Sequence, residues 1–241
     1  MISKAGMIQV RGLAKSFGAL EVIKDIDLDI SATQRHLIIG PNGAGKTTFF
    51  NLLSGQLLAS RGNIEFNGET ITHMPVHLRA RRGLGRTFQI ASLFDDLSVW
   101  DNIVLAASAP ALSDRSMPAI ARRAVSALEQ SGLEAKRAFP IRSLAYGEQR
   151  RLEIAISLAT SPTFILLDEP MAGLTPDERR ALATRIINLS NTVGVVLIEH
   201  DLEIALTIAQ RLTVFHLGKV IVDGAPDEVL SNPLVREIYL G

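Results

Sequence analysis

Between Leu37 and Thr48 the chain reads Leu-Ile-Ile-Gly-Pro-Asn-Gly-Ala-Gly-Lys-Thr-Thr, and no other stretch limits its possible folds so tightly. The spacing G-x-x-x-x-G-K-[ST] follows directly on an apolar run. Gly40, Gly43 and Gly45 let the backbone curl with its N–H groups inward, Lys46 offers a point charge to the outer phosphates of a nucleotide, and Thr47 offers a hydroxyl to Mg²⁺. Phe49, Leu52 and Leu53 recur behind it at helical spacing, so the loop joins a strand to a helix. Gly40, Pro41, Asn42, Gly43, Ala44, Gly45, Lys46, Thr47 and Thr48 are therefore the expected residues of a nucleoside-triphosphate cradle with Mg²⁺, in an α/β fold of the P-loop kind.

The rest of the composition narrows the setting. A chain of 241 residues, 47% hydrophobic, can bury a sizeable core. Its 25 Lys+Arg balance 25 Asp+Glu, so nothing global draws it to nucleic acid or an anionic surface, and no nucleic-acid partner is expected. With 0 cysteines, thiolate metal sites and cysteine catalysis are excluded, and a cytosolic setting is natural. Met1 to Gly12 lacks the continuous apolar core of a secretory signal, and no apolar run approaches the roughly 18 residues that cross a bilayer. Any service to a membrane would be that of a peripheral subunit.

Along the chain, Ile8 to Ile30 shows short alternating patterns, clearest in Ile26-Asp27-Leu28-Asp29-Ile30, as half-buried antiparallel strands require. Ile64 to Glu69 adds a strand and an Asn67-Gly68 hairpin signal. From about Ser98 to Thr160 apolar residues recur at helical spacing, with breaks near Pro110, Pro118 and Pro140. Phe164 to Leu167, Val195 to Ile198 and Leu212 to Phe215 are then short apolar runs between helical patterns, one opened by Thr175-Pro176-Asp177-Glu178. Alternating strands and helices imply parallel βαβ units. Arg79, Arg81, Arg82 and Arg86 form the densest basic patch, either a solvated helix face or a surface for an acidic partner.

Hydrolysis requires a carboxylate to hold Mg²⁺ and a group that positions water. Phe164-Ile165-Leu166-Leu167-Asp168-Glu169 supplies both at one strand end, where ligands sit in parallel sheets. Asp168 is assigned to the metal with Thr47, and Glu169 to the water. A second glycine-bearing stretch, Leu144-Ala145-Tyr146-Gly147-Glu148, opens an amphipathic helix through Thr160. Its N-terminus is either a plain helix cap or an anion site serving another subunit's ATP. His200 reads as a strand-end histidine and Phe17 as a core aromatic.

This order of motifs, with Gln89 after a short strand and His200 after another, resembles the ATP-binding subunits of ABC transporters over nearly the whole chain. The resemblance implies one nucleotide-binding domain over 1–241: a RecA-like, mostly parallel sheet core and an N-terminal antiparallel β subdomain in 1–85 and 161–241, and an inserted helical subdomain in 86–160. It implies that Gln89 contacts Mg²⁺ and couples to membrane subunits, that His200 contacts the γ-phosphate alongside Glu169 and Lys46, and that Phe17 stacks on adenine. Leu144 to Glu148 becomes the signature that closes over a partner's ATP.

Gly83-Leu84-Gly85-Arg86-Thr87-Phe88-Gln89, Leu-Ala-Tyr-Gly at 144–147, Arg150 to Ala155 and the terminal Tyr239-Leu240-Gly241 are similar to the Liv-type ATPases of branched-chain amino-acid importers. That likeness implies a second, different ATPase subunit, two membrane permeases, a substrate-binding protein at one remove, and a place on the cytoplasmic face of the membrane. Gln89, Ile90, Ser92, Leu93 and Phe94 are the expected permease cleft. The ATPase of a lipid or lipopolysaccharide exporter, or a soluble ABC ATPase without permease, are the alternatives. Three departures from the family pattern stand out, one of them a segment between Ala106 and Ser116 that is short for the Liv type and, lying in the helical block away from the phosphates, implies no effect on hydrolysis. Ala145, Tyr146 and Glu148 replace the usual signature residues, and Thr175 stands where an aspartate is usual, which implies unequal ATP sites in a dimer.

Overall fold

The computed structural model describes residues 6–87, 93–109, 114–189, 193–200 and 202–240. Strands β1 (Met7–Phe17) and β2 (Leu20–Ser31) are longer than the short strands expected, and register shifts along β1 bend the pair. In β2 the sequence alternation becomes burial alternation, with Ile26, Leu28 and Ile30 inside and Asp27 and Asp29 outside. Strand β3 (Arg35–Ile39) leads through the glycine loop into helix α1 (Lys46–Ser54). Strands β4 (Arg61–Phe66) and β5 (Glu69–Thr70) then form the predicted hairpin, with φ of 55° at Asn67 and 82° at Gly68, both left-handed as its turn demands.

Helix α2 (Val76–Arg81) and β6 (Leu84–Arg86) precede a helical stretch of α3 (Val99–Ala107), α4 (Met117–Ser131) and α5 (Tyr146–Ala159). Pro118 does not break this stretch. It sits in the first turn of α4, where a missing N–H costs nothing, behind the Ser116 cap. Then come β7 (Phe164–Asp168), α6 (Pro176–Ile187), β8 (Gly194–Ile198), α7 (Leu202–Ile208), β9 (Arg211–His216), β10 (Lys219–Gly224), α8 (Pro226–Ser231) and α9 (Pro233–Leu240). Thr175 caps α6 as the sequence predicts, its hydroxyl accepting from Glu178 N while Glu178 accepts from Thr175 N.

Two sheets result. An antiparallel one runs β2-β1-β4-β5, and a six-stranded one runs β10-β9-β3-β8-β7-β6, parallel except for β10. The parallel strands are buried on both faces, and the period of two sorts their side chains. Ile38, Phe164, Leu166, Val196 and Ile198 join Phe49 and Phe50 of α1 in a core beneath the antiparallel sheet. Leu37, Ile39, Ile165, Leu167, Val195 and Leu197 face α6 and α7 on the other side. A third core lies among α3, α4 and α5. The architecture is the α/β fold with a mostly parallel sheet and an antiparallel β element that the sequence implies. No described helix is long and apolar enough to cross a membrane.

Candidate nucleotide site

Strand register assembles the site. Ile38 of β3 and Asp168 of β7 both pair with Ile198 of β8, so three strands end level. Two residues beyond Ile38 the loop begins at Gly40, one beyond Asp168 stands Glu169, and two beyond Ile198 stands His200. Residues far apart in sequence thus meet at the carboxyl ends of one sheet, where open α/β proteins bind ligands.

The loop's glycines are required by its geometry. Gly45 has φ 103°, and a Cβ there would lie 2.8 Å from Ile23 Cδ1. Lys46 is 6% exposed and folds back, Nζ donating to Gly40 O at 2.6 Å and Pro41 O at 3.0 Å. Burial pulls its pKa down, opposed by Glu169 and Asp168. An ammonium has three protons, so one remains for an anion. Asn42, Gly43 and Thr47 are exposed at the mouth, while Ala44 and Gly45 are buried. Thr47 lies in the first turn of α1, whose unpaired N–H groups favour phosphate.

Asp168 has even parity with Phe164 and Leu166, so it leaves β7 on the face of α1. Its side chain is fully buried, Oδ2 accepts from Arg86 Nη2 at 3.1 Å, and Oδ1 has no partner. Burial raises the pKa of Asp168, with Arg86 pulling it back. A buried carboxylate oxygen without a hydrogen bond calls for a ligand, and one protein carboxylate beside a hydroxyl is the sparse donor set that Mg²⁺ accepts when phosphates and water complete its shell. The residues present therefore fit the metal. Among the described residues no cluster of three or more His, Asp or Glu would hold an ion without the nucleotide.

Glu169 has φ 49°, a left-handed backbone rare outside glycine, and its N–H is held by Ile198 O at 2.9 Å. Its Oε1 lies 2.7 Å from His200 Nε2. An ionised carboxylate can only accept, so His200 carries its proton on Nε2. Glu199, which the sequence reading passed over, is 4% exposed and accepts from Met171 N at 2.8 Å and His200 N at 3.2 Å. It ties the turn after Glu169 to the backbone of His200, and burial raises its pKa.

Other expected site residues stand apart. Phe17 is not a core aromatic: it is 48% exposed at the end of β1, with Lys15 Nζ 5.0 Å from its ring centroid. It sits in the antiparallel sheet, not in the six-stranded sheet whose strand β3 leads into the loop, and its exposure rules out a packing role. Gln89, Ile90 and Ser92 lie outside the described residues. Leu93 packs partly into the helical core, whereas Phe94 is exposed.

At α5, Leu144 and Gly147 are buried, and Ala145 and Tyr146 are exposed. Glu148 is committed within the chain, Oε2 accepting from Ala145 N at 2.9 Å and Lys136 Nζ at 2.7 Å. Tyr146 Oη accepts from Arg150 Nε and Nη2, and a Cβ on Gly173 would lie 3.1 Å from the Tyr146 ring. Among the described residues no hydrogen bond or ion pair joins 144–148 to the loop at 40–48.

The basic patch is corrected. Arg81 and Arg82 are exposed, and Arg82 pairs with Glu69. Arg79 and Arg86 point inward. Arg79 is 1% exposed and donates to Leu52 O, Leu53 O, Thr72 O and Met74 O, closing the last turn of α1, and burial lowers its pKa to about 10. Lone arginines at such positions look like surface charge because sequence shows charge and not burial.

The fold and the loop define a nucleotide-binding ATPase of the P-loop class. Comparison with known proteins narrows this. Residues 23–172 match the family described as ABC transporter, and residues 219–241 match one described as branched-chain amino acid ATP-binding cassette transporter. The chain belongs to the ABC transporter family and is an ATP-hydrolysing enzyme.

Among curated relatives it is 37% identical to the high-affinity branched-chain amino acid transport ATP-binding protein BraF of Pseudomonas aeruginosa, over 98% of each chain. It is also 37% identical to the lipopolysaccharide export system ATP-binding protein LptB of Acidithiobacillus ferridurans, over 98% of this chain and 97% of that one. A crystal structure of the ADP conformation of an ATP-binding cassette of an ABC transporter superposes with TM-score 0.87 at 27% identity, covering 98% of this chain and 99% of that one.

Proposed function

We propose that this chain is the ATPase subunit of an importer for branched-chain or related hydrophobic amino acids. The match of residues 219–241 carries the choice of substrate class, supported by the Leu-Ala-Tyr-Gly wording at 144–147. The chain works as half of a head-to-tail pair with a second, different ATPase subunit, on the cytoplasmic face of a membrane that holds two permeases. Phe94, exposed at the start of the helical stretch, with Leu93, Gln89, Ile90 and Ser92, takes part in receiving a permease.

In the site, Phe17 stacks on adenine, and the N–H groups of residues 40–48 with Lys46 Nζ hold the phosphates. Mg²⁺, held by Thr47, Asp168 and Gln89, supplies neutralisation of the β- and γ-phosphate charge when bound. Glu169 orients the attacking water. His200 occupies Oε1, so Oε2 is the oxygen for that water, and His200 Nε2 can turn to the γ-phosphate. Residues 144–148, through Ala145, Tyr146 and the free N–H groups of α5, face the partner subunit's nucleotide.

Glu169→Gln keeps the hydrogen bond to His200 and removes the base. Turnover should fall by roughly 10²- to 10⁴-fold with nucleotide binding intact. Hydrolysis at the parent rate would sink the role given to Glu169. The substrate class is tested by uptake of radiolabelled leucine in cells lacking this subunit, with and without the gene restored. Equal identity to a lipopolysaccharide-export ATPase keeps that reading as the rival. Normal leucine uptake together with a lipopolysaccharide defect at the cell surface would overturn import in its favour.

A further inference from the structure

Arg86 ends β6 opposite Leu166, so it leaves the sheet on the same face as Asp168, two residues further along the neighbouring strand. Its side chain is 8% exposed. Nη2 donates to Asp168 Oδ2, while Nη1 lies 2.7 Å from Asn51 Oδ1, 2.8 Å from Ser54 Oγ and 2.9 Å from Gln56 Oε1. One planar guanidinium therefore joins the end of β7 to the C-terminal end of α1, the helix whose first turn carries Lys46 and Thr47. A lysine could not span both, because only guanidinium offers a rigid fork of donors.

The arrangement is asymmetric at Asp168. Oδ2 is taken and Oδ1 is buried without a partner. Arg86 Nε is likewise buried without a partner, but Oδ1 is the unmet atom that can take a cation, and an unmet buried acceptor is costly unless a ligand meets it. An inhibitory plug would cover the oxygen that the cation needs.

We propose that Arg86 is a positioning residue for the Mg²⁺-binding carboxylate: it fixes Asp168 through Oδ2, reserves Oδ1 for the cation and its water, and sets the distance between Asp168 and Thr47 through α1. This rests on the nucleotide-site reading above, in which Arg86 has no part. Groups that hold a metal ligand in place typically matter 10- to 100-fold in metal affinity when removed.

The test uses the purified full chain and a fluorescent ATP analogue, titrated with Mg²⁺ and separately in EDTA, with Mn²⁺ as a second probe read by electron paramagnetic resonance. In Arg86→Gln, nucleotide affinity in EDTA should stay within about twofold of the parent. The Mg²⁺ concentration for half-maximal tightening should rise about tenfold, and the Mn²⁺ signal should report weaker binding to match. Arg86→Lys should fall between. Asn51→Ala, which removes an anchor and leaves the charge, should shift in the same direction by a smaller factor.

The two milder variants carry the test if Arg86→Gln fails to fold. Unchanged or tighter Mg²⁺ binding overturns the proposal, and so does a parallel loss of affinity with and without Mg²⁺, which would mark general damage. A parent chain that binds no nucleotide would fail the underlying reading, a result seen before any variant is made.

Discussion

His36 should make this protein acid-sensitive in a way that one substitution abolishes. The residue lies in β3, fully buried, with Nε2 2.5 Å from Thr213 Oγ1. Thr213 has a single hydroxyl proton and gives it to Asp223 Oδ1 at 2.8 Å, so His36 must donate through Nε2 and leave Nδ1 bare. Nδ1 is buried with no partner. Protonating His36 would place a charge and an unmet donor in the core, and burial lowers its pKa from 6.5 to about 4, with Asp223 opposing and Arg211 assisting.

The folded value lies below the unfolded one, so the unfolded chain takes up the proton first as pH falls. Stability from this group is complete above pH 6.5 and is lost as pH falls toward 4. Each pH unit in that window is worth ~1.4 kcal/mol, which gives about 3 kcal/mol in all. His36→Gln keeps a donor near Thr213 and cannot ionise. Urea unfolding of both proteins from pH 7.5 to 4.5 should show the parent losing 2 to 3 kcal/mol, roughly, beyond what the variant loses, because the carboxylates common to both cancel in the difference. Parallel curves, or a parent that gains stability relative to the variant on acidification, would refute the reasoning.

Arg79→Met strands four carbonyls that Arg79 now serves, two of them in the last turn of α1. Leaving a buried acceptor unmet costs roughly 1–3 kcal/mol, so losing even two of these bonds lowers the melting temperature of a chain of this size by about 4–24 °C in a calorimetric scan; a change under about 2 °C would count against it. Gly173→Ala adds about 1 kcal/mol of left-handed strain at φ 76° and presses a methyl on the Tyr146 ring. Tyr146→Ser should relieve the second effect alone, so a double-mutant cycle by urea unfolding should give a nonzero coupling, and strict additivity would mean the ring does not depend on that glycine.

The parts of the site legible in the sequence are those whose demands are local. A loop that must turn its N–H groups inward needs glycine at fixed spacing, and a strand buried on both faces must read as a bare apolar run before its terminal Asp168. Neither needs knowledge of a partner. The residues that eluded the reading act across the fold: Arg86 reaches Asp168 from 82 positions away, Arg79 reaches Leu52 from 27, and Glu199 reaches Met171 from 28. Charge is visible in a sequence, whereas burial depends on which elements pack together.

The obstacle is register and not residue type. Once β6 is known to pair with β7 so that Arg86 faces Leu166, the two-residue period alone places Arg86 and Asp168 on the side of α1, and a buried carboxylate beside an arginine on one face will pair. The same reasoning divides the basic patch: Arg81 leaves α2 toward solvent, while Arg79, two residues earlier on a helix turning by about 100° per residue, points to the opposite side and into the C-terminal end of α1, and Arg82, just past the end of that helix, turns out to Glu69. Four arginines that look alike in sequence therefore divide into two that meet water and two that hold the nucleotide-binding helix, and only the second pair should change the protein when neutralised.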